Sequence, residues 1–187
     1  MAAESPFLEI AQNIAKEILH HPFHVLRHAP LLYEITVNNR LEVMSQESVR
    51  KPKRGTSAFQ TDLCIFEELT PEILIPRVVI EFKTKITTHD ILTYSAKATK
   101  HKKIYPYLRY GILAAGERVV PGRVFTHNES LDFFASVAGL DETEFKEFLT
   151  SLLKCEVASS KCLEDIAFDK VKTRLYRTEV QVSGKAK

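Results

Sequence analysis

Arg77-Val-Val-Ile-Glu-Phe-Lys-Thr84 is the stretch whose reading decides the fold of this chain. Val78, Val79, Ile80 and Phe82 make it apolar enough for the interior of a sheet, because β-branched and aromatic side chains pack well on a pleated surface. Two charged residues interrupt the run. Glu81 and Lys83 are two apart, so on a strand they point to the same face. Charges held side by side in a core strand are costly unless paired or bound to a metal, which marks the pair as a site kept for function.

Upstream, Thr61-Asp-Leu-Cys-Ile-Phe66 reads as a second strand, joined to the first by a segment bracketed by Pro71 and Pro76. Asp62 breaks its apolar run as Glu81 breaks the other, and alternation puts Asp62, Cys64 and Phe66 on one side. Cys64 reads as a small core residue. Paired as an antiparallel hairpin, the two strands bring Asp62 and Glu81 together. Two carboxylates converging from strands suit a hard, oxygen-seeking Mg²⁺, with water and phosphate oxygens filling its other positions.

Downstream, Thr88 is a good N-cap for a helix running to about Lys103, with Pro106 to stop it. Tyr107 to Ala115 then reads as another buried strand. Strand, helix, strand is a crossover unit, and it implies a mixed, partly parallel sheet. At the N-terminus, Phe7, Ile10, Ala11, Ile14 and Ile18 form the stripe of an amphipathic helix over Pro6 to His20. Residues 33–44 read as a hairpin turning at Asn38-Asn39, or equally as a helix with Pro30 in its first turn. Gln46 to Gln60 reads as an exposed basic loop. Ser130 to Ala138 reads as a helix closed by Gly139, and Asp141 with Glu144 caps another, whose stripe is Phe145, Phe148, Leu149, Leu152 and Leu153. The tail from Ser183 is expected to fray.

An Asp on one strand, then Glu81-Phe-Lys83 on the next, then a helix from Thr88 and a strand around Gly111, resembles the PD-(D/E)XK nuclease superfamily. The resemblance covers residues 34–115 and implies a restriction-endonuclease-like fold and metal-dependent hydrolysis of DNA phosphodiesters. It implies that Asp62 and Glu81 bind Mg²⁺, for which Mn²⁺ can substitute, and that Lys83 orients the attacking water or stabilises developing negative charge. Thr61 stands where the motif name has Pro. Many members carry a further Glu on the helix before the Asp, and Glu34 or Glu42 fits that role here, Glu34 being the choice if residues 33–44 are helical. The competing structural reading pairs Asp62 with Lys83 at a strand end and leaves Glu81 facing solvent on an edge strand.

Basic residues are concentrated nearby. Lys97, Lys100, Lys102 and Lys103 follow on the helix with Tyr94, and Arg50, Lys51, Lys53 and Arg54 lie in the preceding loop. Such residues contact phosphates with salt-dependent affinity, so both segments form the candidate DNA surface. Residues 129–156 carry the opposite charge, with Glu129, Asp132, Asp141, Glu142, Glu144, Glu147 and Glu156. His20, His24 and His28 recur at i, i+4, but Pro22 spoils a helical metal site.

At 187 residues the chain has the length of one domain, and 44% hydrophobic with 27% charged residues fits a globular α/β protein. The expected architecture is a central mixed sheet flanked by helices, with a nuclease-like core over 30–116 and a helical C-terminal part over 128–180. The net charge of +2 names no partner. Three cysteines without a CxxC pair predict reduced thiols, and the absence of a basic, apolar leader predicts a cytoplasmic protein with no membrane association. No Gly-rich phosphate loop or GxSxG elbow occurs. The expected function is a Mg²⁺-dependent endonuclease of the restriction or repair type, with a homodimer to cut two strands. A non-catalytic DNA-binding or assembly module is the alternative, and a protein-interaction domain using the acidic flank is a third.

Overall fold

The structure, a computed structural model, describes residues 4–44, 49–55 and 57–183. Part of the basic loop (45–48 and 56) and the tail beyond Ser183 lie outside the described residues.

The molecule is α/β, built on a five-stranded mixed sheet in the order β1-β4-β5-β6-β7. Strand β1 (Phe23–Arg27) pairs antiparallel with β4 (Leu63–Thr70), which pairs antiparallel with β5 (Ile73–Lys83). Strand β6 (Arg109–Ala114) then adds in parallel through α2 (Thr88–Ile104). A second crossover through α3 (Gly122–His127) adds β7 (Phe133–Ser136), also in parallel. Helices α1 (Glu4–Ile18) and α4 (Glu142–Ala167) complete the fold. Among the described residues no helix is long and apolar enough to cross a membrane.

Alternation along β5 explains the layering. Val78, Ile80 and Phe82 join Leu63 and Ile65 in a core shared with α1 and α4, while Val79 joins Cys64, Tyr110 and Ile112 in a second core beneath α2. Because both faces of β5 are covered, its residues are apolar on both sides, as expected of a central strand. Glu81 and Lys83 share the parity of Val79 and so belong to the α2 side. Helix α2 is held by a capping box between Thr87 and Asp90, with Thr87 rather than Thr88 as the N-cap.

A short ribbon of β2 (Pro30–Leu32) and β3 (Ala58–Gln60) folds over that same side. It departs from the sheet at a corner where the Asp62 carbonyl accepts the His28 N–H (3.1 Å) and the Ala29 carbonyl accepts the Thr61 N–H (3.0 Å). His28 takes a left-handed backbone there, φ 55°. The bend sets Asp62 at the rim of the sheet instead of within it.

The structure corrects one further segment and decides between the alternatives for another. Ser130 to Ala138 is not a helix: Phe133–Ser136 forms the edge strand β7. Asp132 decides this, because its carboxylate accepts the Tyr110 N–H (2.7 Å) and holds Arg109 (2.8 Å), docking the segment beside β6. For residues 33–44, which the sequence left open between hairpin and helix, the helix alternative fails and a hairpin-like turn forms. Pro30 opens a strand, and Val37 bridges Val43 across a turn in which the Asn38 carboxamide accepts the N–H groups of Arg40 and Glu42. That local side-chain bonding competes with helix formation.

Buried ion pairs tie the layers. Arg77, in β5, contacts Glu67 (2.6 Å) and, on α4, Glu164 (2.5 Å). Arg109 joins Asp132 and Glu156, and Lys102 also reaches Asp132 (2.7 Å). Two acids of the 129–156 flank, Asp132 and Glu156, are therefore consumed internally.

Candidate active site

Antiparallel register pairs Leu63 with Ile80, which carried one step further sets Asp62 opposite Glu81. The Asp62 Oδ2 accepts the Phe82 N–H at 2.9 Å, fixing the carboxylate against the β5 backbone. Glu81 is almost fully buried, 2% exposed, and accepts a hydrogen bond from the Tyr110 hydroxyl on β6. Burial pushes the Glu81 carboxyl up to about 8, the Asp62 charge adds to that, and the Lys97 ammonium and the Tyr110 hydrogen bond oppose it. The solvent-facing Glu81 on an edge strand, one of the sequence readings, is excluded by this burial and by the central position of β5.

The cationic wall comes from two elements. Lys83 on β5 and Lys97 on α2 place their ammonium groups over the Tyr94 ring, at 5.5 and 4.9 Å. Lys97 also lies 5.7 Å from the Phe59 ring centre. Tyr94 reaches this position because it shares the inner face of α2 with Ile91 and Ala98. It forms the floor of the site and not an outer DNA-facing surface. An open hollow of roughly 640 Å³ lies in front, lined by His28, Arg54, Phe59, Gln60, Asp62 and Lys97 among others.

Other residues singled out from the sequence are dispersed. Glu34 is exposed on the chain past β2 and is not among the charge or hydrogen-bond partners of Glu81; Glu42 caps its own turn through Asn38. Arg50 contacts Glu72 (3.4 Å) at the turn between β4 and β5, the far end of both strands from Asp62. Arg54 bonds Gln60 (3.1 Å) at the near end. Lys51, Lys53 and Lys103 are exposed, Lys100 lies over Tyr33 (4.9 Å), and Lys102 is engaged with Asp132. His24 pairs with Glu68 (2.5 Å) on the sheet edge.

Tyr110 and His101 are the site residues that sequence reasoning missed. Tyr110 was discoverable in principle, since it alternates with Ile112 on the strand across from Glu81. His101 is fully buried, donates from Nδ1 to the Leu32 carbonyl (2.9 Å) and stacks on Tyr110 at 5.7 Å. Burial lowers it to about 4, so it is neutral at physiological pH.

Among the described residues no three His, Cys, Asp or Glu side chains gather as a metal-binding cluster. The donor set is the two carboxylates. It suits a hard divalent ion of the kind held by one or two carboxylates with water and phosphate. A divalent ion held there would offset the burial and the Asp62 charge that together keep the proton on Glu81. No family model matches this sequence, and no curated protein matches it significantly.

Proposed function

We propose that the protein is a metal-dependent nuclease with a restriction-endonuclease-like fold, hydrolysing phosphodiester bonds in DNA. The observation that carries this reading is the convergence of Asp62 and Glu81 from adjacent strands beside Lys97, with Lys83 two residues beyond Glu81 on the same face of β5 and, like Lys97, over the Tyr94 ring. Asp62 and Glu81 would hold Mg²⁺ or Mn²⁺, which when bound supplies Lewis-acid activation of the phosphate and of water. The Phe82 N–H fixes one oxygen of Asp62, and the Tyr110 hydroxyl orients Glu81 and favours its ionised form. Lys83 and Lys97 supply positive charge where a phosphate would approach, stabilising charge that develops in the transition state. The parallel and antiparallel pairing around β5 also agrees with the order of elements expected from the motif.

Nicking of supercoiled plasmid in Mg²⁺ or Mn²⁺ tests the proposal. The wild type should cut, while Asp62→Asn and Lys83→Ala should stay folded and lose roughly 100-fold or more in rate. Binding without cutting under any divalent ion would replace this reading with a non-catalytic DNA-binding module, which the deep burial of Glu81 would then explain. Cutting of both strands by a homodimer would show as linear product and a dimeric mass in solution.

A further inference from the structure

An aromatic column leads outward from the candidate site. Tyr110, which holds Glu81, stacks on His101; the His101 ring meets the edge of Phe59 at 5.9 Å, and Phe59 stacks on Tyr33 at 3.9 Å with their planes 16° apart. The outer two rings are only partly buried. Lys97 and Lys100 stand over them, Lys100 lying 4.9 Å from Tyr33 and 5.9 Å from Phe59. Phe59 also lines the hollow that reaches Asp62, together with Arg54, Gln60 and Lys97.

Flat rings interleaved with cations are what a single-stranded nucleic acid selects. Each unpaired base offers a π-face to an aromatic side chain, and each phosphate offers a charge to lysine or arginine. A base in a duplex is already stacked and paired, so it cannot enter such a place without being extruded. The hollow falls within the usual 300–1,000 Å³ range of small-ligand sites, enough for one nucleotide.

We infer that the hollow lined by Phe59, which Tyr33 backs by stacking, receives an unpaired nucleotide of the substrate strand, making the protein selective for single-stranded DNA or single-stranded ends. The base packs against Phe59 on the outside of the Phe59–Tyr33 stack, its phosphate meets Arg54 and Lys97, and the adjoining phosphodiester lies toward Asp62. This rests on the nuclease reading for the identity of the ligand, and it adds the strandedness of the substrate.

Fluorescence anisotropy with labelled oligo(dT), and with the matching duplex, in EDTA at low salt tests it without any cleavage. The wild type should prefer the single strand by about tenfold or more, and Phe59→Leu and Tyr33→Leu should each lose roughly tenfold for it while leaving duplex affinity unchanged. A single-stranded probe carrying 2-aminopurine should be quenched by the wild type, a signature of stacking that holds even if a variant fails to fold. Equal affinity for both forms, an unquenched probe, or equal loss on both forms in folded variants overturns the inference. Asp62→Asn separates it from the nuclease reading. Retained quenching with no cutting by the wild type would sink the nuclease reading alone, whereas duplex cutting without quenching would sink the stacking site alone. Binding to neither probe would remove both.

Discussion

The Tyr110 hydroxyl donates to the Glu81 carboxylate across the parallel seam between β6 and β5, joining a buried phenol to a buried acid. Burial and the neighbouring Glu81 charge hold the phenol well above its ordinary range, so it remains a donor. It is the group on β6 that favours the ionised form of Glu81.

Tyr110→Phe should therefore move the Glu81 carboxyl further up from about 8. Cleavage near neutral pH is expected to fall by roughly tenfold, the scale of one hydrogen bond to a charged group, and to recover as pH rises. The check is the pH–rate profile: its acidic limb should shift to higher pH. An unshifted limb would leave Tyr110 a packing residue only.

Glu81 itself should weaken the fold when it ionises. Its carboxyl is raised from 4.5 to about 8, so the folded chain keeps a proton that the unfolded chain has lost between those values. The associated stability is fully present below pH 4.5 and is lost as pH rises through 8. Glu81→Gln cannot ionise and should be the more stable protein at pH 8, by something on the order of a few kcal/mol, with the difference vanishing near pH 4.5. Urea unfolding of both proteins across that range measures it. Mg²⁺ should stabilise the wild type at pH 8 and leave Glu81→Gln unaffected.

His101 acts in the opposite sense. Its folded value is lowered from 6.5 to about 4, so its contribution is complete above pH 6.5 and is lost as pH falls from there toward 4. The two effects overlap between pH 4.5 and 6.5 and oppose each other, so a flat wild-type curve in that window is expected. His101→Gln should reveal the slope of Glu81 by removing the other. A wild-type and variant pair with parallel stability curves would show that His101 does not titrate with unfolding.

Backbone contact also sets the site. A Cβ on Gly116 would stand 2.2 Å from the Thr84 carbonyl oxygen, next to the pair in which Gly116 N–H donates to Thr84 and Ala115 N–H donates to Lys83. Gly116→Ala must push β5 and β6 apart just beyond Lys83, at a cost of about 1–3 kcal/mol. Gly122→Ala, where nothing lies within 4 Å of the added carbon, should stay within about 0.5 kcal/mol of the wild type. Thermal denaturation of the two variants side by side makes the comparison.

Much of the framework around β5 was legible in the sequence because the signal was local. Val78 to Phe82 read as a buried strand, Thr88 to Pro106 carried a cap, one residue late, and a stop, and Asp141 with Glu144 announced α4. The segment from Ser130 misled, since Leu131, Phe133, Phe134, Ala135 and Val137 suit a helix stripe as well as an edge strand. Only the pairing of Asp132 with Tyr110 and Arg109 distinguished the two. Lys102 looked no different from Lys97 or Lys100, yet one turn of helix decides which meets Asp132 and which meets the hollow.

Spacing and residue type alone determined that an Asp and a Glu interrupt two successive strands and that a Lys shares the face of the Glu, because side-chain alternation is a property of the extended backbone itself. Tertiary structure decided how those carboxylates behave. The bend at His28, the arrival of Lys97 from α2 and the reach of Tyr110 from β6 bring together groups remote in sequence, and burial and electric field depend on what surrounds a charge in space.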